Sequence, residues 1–216
     1  MKLKSIKKNM PLSQKAYEII KDAIINNTLK PGSILAEEPL SKQLSISRTP
    51  IRAALQQLVY EGLAECDSTN HIIVSNVTKD DIKNISVVRC NLECLCIQLI
   101  ETPLEKNCID KLENILNNQL EVLSKDKPNY IDYINLDYDF HIYLAELTKN
   151  NYLIEVIGKL NQITNRFLML SDTLEQHCRT AIDEHKTIVQ FLKDGQKDYA
   201  EIAMRNHIIN VGNRLL

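Results

Sequence analysis

Ser47-Arg48-Thr49-Pro50-Ile51-Arg52-Ala53-Ala54-Leu55, with Gly62-Leu63 just downstream, decides how this chain is read. A small hydroxyl at Ser47 suits the N-cap of a helix, and Pro50 falls in the first turn, where proline is tolerated. Ile51, Ala54, Leu55 and Leu58 recur at helical spacing and form an inward stripe. Arg48 and Arg52 are four apart, so they project together from a different face. Such a helix packs on one side and presents a reading edge on another. Gly62 closes it near the C-cap.

Upstream, Leu12 to Asn26 reads as a helix with Ala16, Ile19, Ile20, Ala23 and Ile24 on one face. Pro31-Gly32 is the expected break. Leu40 and Leu44 anchor a short second helix, and Ser45-Ile46-Ser47 makes the tight turn into the third. Downstream, Leu63–Cys66 and Ile72–Val77 are extended runs. The turn-forming cluster Asp67-Ser68-Thr69-Asn70 separates them, so a hairpin is expected. Three helices and a hairpin within residues 1–77 describe a winged helix-turn-helix.

From Thr78 on the pattern is helical. Thr78-Lys79-Asp80-Asp81 is spaced like a capping box. Helices are expected to about residue 101, from Thr102-Pro103 to about Ser124, and from Asn129 to Thr148. Three more follow: past Asn150-Asn151 to about Leu170, from Thr173 to Asp194 with a stop at Gly195, and from Lys197 to Leu216. Residues 78–216 are therefore expected to be an all-α helical bundle, and the fold class mainly α.

Composition fits a globular chain of 216 residues, 44% hydrophobic and 25% charged. No apolar run reaches the roughly 18 residues of a membrane span. The lysine-rich stretch Met1 to Met10 lacks the apolar core of a secretory signal. A cytoplasmic location is the expectation, with six reduced cysteines in no disulfide-framework spacing. The net charge of −2 conceals an asymmetry: residues 1–75 hold ten Lys/Arg against seven Asp/Glu, and the remainder sixteen against twenty-one. A mildly basic head on an acidic body suits a nucleic-acid-binding domain joined to something else.

Arginine's planar fork matches the O6 and N7 edge of guanine in the major groove. Thr49 and Gln56 lie near the arginine face, and Ser47, Thr49 and the helix N-terminus can hold a phosphate. The bland alternative is a pair of solvated charges. The agreement of turn, cap, first helix and hairpin favours duplex DNA. The segment Tyr17 to Val74 resembles the DNA-binding domain of the GntR-type bacterial transcription regulators. The resemblance rests on Leu29-Lys30-Pro31-Gly32, Leu35 with Glu37, Leu40, Leu44, Ser47 to Arg52, Ala54-Leu55 and Gly62-Leu63. It implies that Arg48 and Arg52 touch operator DNA and that a wing enters the minor groove. Two departures stand out. Glu38 or Pro39 occupies a place where many relatives are basic. The wing tip reads Thr69-Asn70-His71 instead of Arg-Gly, so Asn70 takes glycine's left-handed role and His71 partly replaces the charge.

The chain has five histidines. Asp137 and His141 are four apart on one expected helix, His185 follows Glu184 on another, and His207 lies on the next. Three imidazoles and a carboxylate from three helices can converge in a bundle as an N3O set suited to Zn, Ni, Mn or Fe, with a coordination position left open. By spacing alone, a helical histidine is more often surface or core filler than a ligand. Residues from about 78 to 212 resemble the all-helical FCD domain of the FadR-like branch of GntR regulators. The matching residues are Arg89 with Glu93, Asp137, Phe140-His141, Asn150-Asn151, Glu184-His185 with Ile188, and Met204-Arg205 with His207. The resemblance implies that Asp137, His141, His185 and His207 hold a divalent metal, while His177 matches no ligand position. A metal facing a closed cavity suits a small carboxylate, with a guanidinium on its second oxygen. Arg89 and Arg166 are the candidates, Arg89 the better placed by the resemblance. A plain Arg89–Glu93 salt bridge is the alternative. Cys90, Cys94 and Cys96 read as buried packing thiols, and Tyr130, Tyr133, Tyr138 and Tyr143 as packing and rim residues.

The expected function is a ligand-responsive regulator, by the resemblance a repressor. It would be a homodimer that meets a palindromic operator and responds to a small organic acid. Two rivals remain at this point. One is a metal-dependent enzyme acting on a small carboxylate. The other is a regulator that senses the metal itself.

Overall fold

The computed structural model describes residues 10–171 and 173–215. The lysine-rich start over residues 1–9 and the final Leu216 lie outside them. The chain divides into two compact units, Met1–Asn76 and Val77–Leu216.

The first unit contains α1 (Leu12–Ile25), α2 (Glu37–Leu44), α3 (Arg48–Tyr60), β1 (Ala64–Cys66) and β2 (Ile72–Val74). β1 and β2 pair antiparallel, Ala64 opposite Val74 and Cys66 opposite Ile72. The segment after the Pro31-Gly32 turn adds to this edge, with Ile34 bridged to Ile73. Asn70, at the tip, has φ 62°, the left-handed conformation that its short polar side chain tolerates. Residues 75–77, expected in the second strand, lie beyond it. The core joins Ala16, Tyr17, Ile20 and Ile24 of α1 to Leu35, to Ile51, Ala54, Leu55 and Leu58 of α3, and to Leu63 and Val74. The expected stripe of α3 is thus the buried one. That of α1 is corrected: Ile19 is exposed, and Tyr17 takes its place inside. Residues 16, 20 and 24 set the line that faces α3, and Tyr17 can join it because its hydroxyl reaches the edge and donates to Glu61 at 2.6 Å. α1 ends at Ile25 with Asn26 at its C-cap, one residue from the expected end, and the chain turns at Asn27, φ 59°, ahead of Pro31-Gly32.

The second unit is a bundle of α4 (Lys79–Leu99), α5 (Lys106–Ser124), α6 (Tyr130–Leu147), α7 (Asn151–Leu170), α8 (Leu174–Lys193) and α9 (Lys197–Leu215). α9 packs against α4 and α8, and α6 against α5 and α7. Ile97, Leu112, Phe140, Leu144, Ile188, Leu192, Met204 and Ile208 centre the main core. The capping box is present at Thr78 and Asp81, and Asn129 and Asn150 cap α6 and α7. Gly195, at φ 71°, separates α8 from α9. α5 begins later than Thr102-Pro103, with Glu105 at its N-cap. Cys90, Cys94 and Cys96 are buried thiols. Among the described residues, no helix is long and apolar enough to cross a membrane.

Candidate functional sites

α6, α8 and α9 each bring one imidazole to the same point inside the bundle. The period of α6 puts Asp137 and His141 on one inward face, beside Phe140. His185 stacks on the Phe140 ring, with centroids 4.1 Å apart and planes 21° from parallel. That contact fixes the plane of His185 within the apolar core. One nitrogen from each of His141, His185 and His207 lies within 4.8 Å of the others. Nε2 of His185 and Nε2 of His207 approach to 3.0 Å. An Asp137 oxygen stands 3.9 Å from His141 Nε2, and the other stands 4.0 Å from His185 Nε2. All three imidazoles are at most 2% exposed.

Carboxylates stand behind two of the imidazoles. Glu184 accepts from Nδ1 of His207 at 2.8 Å, which leaves the Nε2 lone pair facing inward. Glu93 Oε2 lies 2.5 Å from Nδ1 of His141, a close carboxylate–imidazole contact. Nε2 of His141 is buried with no hydrogen-bond partner. An orphaned buried imidazole nitrogen, aimed at two others and a carboxylate, fits a cation better than a packed core. The donor set is borderline-soft nitrogen with one oxygen, which suits Zn, Ni, Mn or Fe.

Charge at the site is tightly compensated. Burial pushes the Glu93 carboxyl up. The Arg89 guanidinium and the His141 imidazole outweigh that and hold it well below the usual carboxylate range. Glu184 is likewise raised by burial. His207 and Arg214 overcome this and bring it down to about 2. Burial pushes His185 well below its ordinary value, and the nearby His207, His141 and Arg89 add to the shift. Burial also lowers His207, against the opposing effect of its hydrogen bond to Glu184. The folded state thus favours neutral imidazoles at His185 and His207, the form that ligates.

Beside the histidines is a cavity of about 30 Å³. By volume it has room for roughly two waters. Its wall includes Arg89, Tyr133, Asp137, His141, His207 and Arg214. Arg89 reaches this wall and also donates from Nε to Glu93 at 2.7 Å, so the salt bridge weighed from sequence is present and does not take the side chain away from the cavity. Arg166 is buried on α7 and is not among the residues lining this cavity. His177, set aside as ordinary, does line it. Sequence reading also passed over Arg214 and the support given by Glu184. The available signal was the Glu184-His185 adjacency, which turns two neighbouring side chains of α8 about 100° apart.

In the first unit the expected DNA-contact residues Ser47, Arg48, Thr49, Arg52 and Gln56 are all exposed, on the side of α3 away from the core. Ser47 occupies the N-cap position, but its side chain makes no capping bond, contrary to expectation. Residues 47–49 at the helix start are exposed, which leaves the first amides open to other acceptors. His71 is exposed on the wing, its Nδ1 2.7 Å from the Thr69 hydroxyl and 3.9 Å from an Asp67 carboxylate oxygen.

Residues 12–72 match the family described as bacterial regulatory proteins, gntR family, and residues 84–210 match the FCD domain. An uncharacterized HTH-type transcriptional regulator of Bacillus subtilis, YdhC, is 29% identical over 206 residues, covering 93% of this chain and 90% of that protein. The HTH-type transcriptional repressor RspR of Escherichia coli is 23% identical over 198 residues, covering 92% and 86%. A crystal structure of a GntR regulator from Rhodococcus sp. RHA1 has the same fold, with a TM-score of 0.82 at 19% identity over 94% of this chain and 96% of that one. An exposed arginine-bearing helix, a buried histidine cluster and these matches give one conclusion: the chain belongs to the gntR family of bacterial regulatory proteins, carries an FCD domain, and is a transcription regulator rather than an enzyme.

Proposed function

We propose that the chain is a cytoplasmic, homodimeric repressor whose operator affinity is set by a small carboxylate bound with a divalent metal in its helical unit. The observation that carries the sensing half is the convergence of three buried imidazoles, with a carboxylate behind two of them and an orphaned Nε2 at the centre. His141, His185 and His207 would hold the ion through nitrogen, and Asp137 through oxygen. A bound divalent ion supplies a Lewis-acidic position for one oxygen of an effector carboxylate. Arg89, on the cavity wall and braced by Glu93, offers its guanidinium to the other oxygen. The cavity is small, which favours a short acid.

In the head, Arg48 and Arg52 would read base edges in the major groove. Thr49, Gln56, Ser47 and the open amides of the α3 start would grip base edges or phosphate, and His71 would approach the minor groove. An E. coli relative is named a repressor, which supports that sense of regulation. Pairing is supported by an outward apolar stripe on α4, where Val88, Leu95 and Leu99 are 45%, 37% and 47% exposed. A second copy covering that stripe would present two reading helices to a palindromic operator. Effector coupling of about 1–3 kcal/mol would change operator affinity roughly 5- to 150-fold.

The test is a thermal-shift panel of short mono- and dicarboxylates on metal-loaded and metal-stripped protein, alongside a His141→Ala/His185→Ala double variant. Loaded protein should rise in melting temperature with a specific acid, and stripped protein should not. The double variant should lose its metal by elemental analysis. Full occupancy in that variant, or no acid that acts only on the loaded form, refutes the sensing half.

A further inference from the structure

The two arginines that head α3 are held differently. Glu37, in the first turn of α2, accepts from Arg52 with both oxygens: Nε at 2.7 Å to one and Nη2 at 2.8 Å to the other. Glu38, the next residue, touches Arg48 once, at 2.9 Å through Nη2, and shares its other oxygen with Lys42 at 2.9 Å. A two-point contact fixes both the plane and the direction of a guanidinium, whereas a one-point contact leaves it free to swing.

A guanidinium has five N–H donors arranged on two usable edges. Glu37 occupies the Nε/Nη2 edge of Arg52. The Nη1/Nη2 end remains, and it is a second planar pair of donors with the spacing that suits O6 and N7 of guanine. The splint is also shaped for the task. The Glu37 side chain is 28% exposed and that of Arg52 62%, so the acid sits behind and the arginine end faces out. A carboxylate so placed also repels the phosphate backbone, which would otherwise compete for the same cation.

We propose that Glu37 is a specificity-determining residue: it aims the outer edge of Arg52 at a guanine in the major groove and keeps that arginine off the phosphates. The inference rests on the reading of α3 as the DNA-contacting helix. Glu38 is the internal control, an acid on the same turn that screens charge without setting a direction.

The experiment uses the full chain and a pool of duplexes with a randomised centre. The best duplex selected by the wild type is compared with a scrambled duplex of equal length, by fluorescence anisotropy over a range of salt. Glu37→Gln and Glu38→Gln are both surface changes, and far-UV circular dichroism verifies their folding. Wild type should fix a guanine in each half-site. Glu37→Gln should lower preference for that guanine about tenfold or more while tightening binding to the scrambled duplex. Glu38→Gln should tighten both duplexes by the same factor, with a salt slope steeper by about 0.9 for each phosphate gained. Unchanged base preference in Glu37→Gln, or equal effects of that variant on both duplexes, overturns the inference. Arg52→Ala separates the two levels. If it leaves selected-duplex affinity unchanged, or if wild type enriches no sequence, the reading of α3 fails and the inference with it. If Arg52→Ala loses affinity but Glu37→Gln keeps full preference, only the inference fails.

Discussion

Glu184→Gln isolates the support of the histidine cluster from the cluster itself. Glu184 accepts from Nδ1 of His207 at 2.8 Å and from Nδ2 of Asn210 at 2.9 Å, and it also pairs closely with Arg214. The amide keeps the volume and one acceptor, but removes the negative charge that holds His207 in the tautomer with Nε2 inward. Loss of such a partner behind a metal ligand costs about 10- to 100-fold in metal affinity. At a free metal concentration of 100 times the wild-type Kd, binding stabilises the wild type by about 2.7 kcal/mol. With Kd raised 10- or 100-fold, the same concentration gives about 1.4 or about 0.4 kcal/mol. The metal-induced rise in melting temperature should therefore shrink to between about one half and about one seventh of the wild-type rise. The assay is differential scanning fluorimetry on chelator-stripped protein with metal titrated back. The variant is also less stable without metal, so the readout is the difference between loaded and stripped protein for each chain. A metal-induced shift equal to the wild type's would refute the role of Glu184. No shift in the wild type at any divalent metal would refute the site.

Three further outcomes are expected. Leu55 is fully buried at the centre of the head, so Leu55→Ala should destabilise that unit by about 2–5 kcal/mol in urea unfolding followed by circular dichroism; a loss under about 1 kcal/mol would argue against that core. Thr78→Ala removes the capping box of α4 and should cost the helical unit about 1 kcal/mol, measured by its denaturation midpoint. Metal-free protein should lose stability as pH falls below 6.5. His185 and His207 are held below that ordinary value by burial, so the unfolded chain takes up protons there before the folded one does. Urea midpoints that stay level from pH 8 to pH 5 would contradict this.

Much of the fold was legible because its signals are local. The 3.6-residue recurrence of Ile51, Ala54, Leu55 and Leu58 defines one side of α3 and leaves Arg48 and Arg52 to the other. Asn70, Thr78 with Asp81, and Gly195 act through backbone conformation or hydrogen bonds within a few residues, and the structure uses them where their chemistry predicts. Asp137 and His141 share a face of α6 for the same reason. Tertiary structure decided the rest, because it depends on which elements meet. Tyr17 rather than Ile19 is buried because α3 and Glu61 lie on that side of α1. Arg166 is buried on α7 and is not among the residues lining the cavity, while Arg214 reaches its wall from the last helix. Glu93 and Glu184 find imidazoles 48 and 23 residues away, and the carboxylates of α2 find the arginines of α3. Periodicity states which residues point inward together. It does not state what stands opposite them, and a buried charge or an open nitrogen takes its chemistry from what stands opposite.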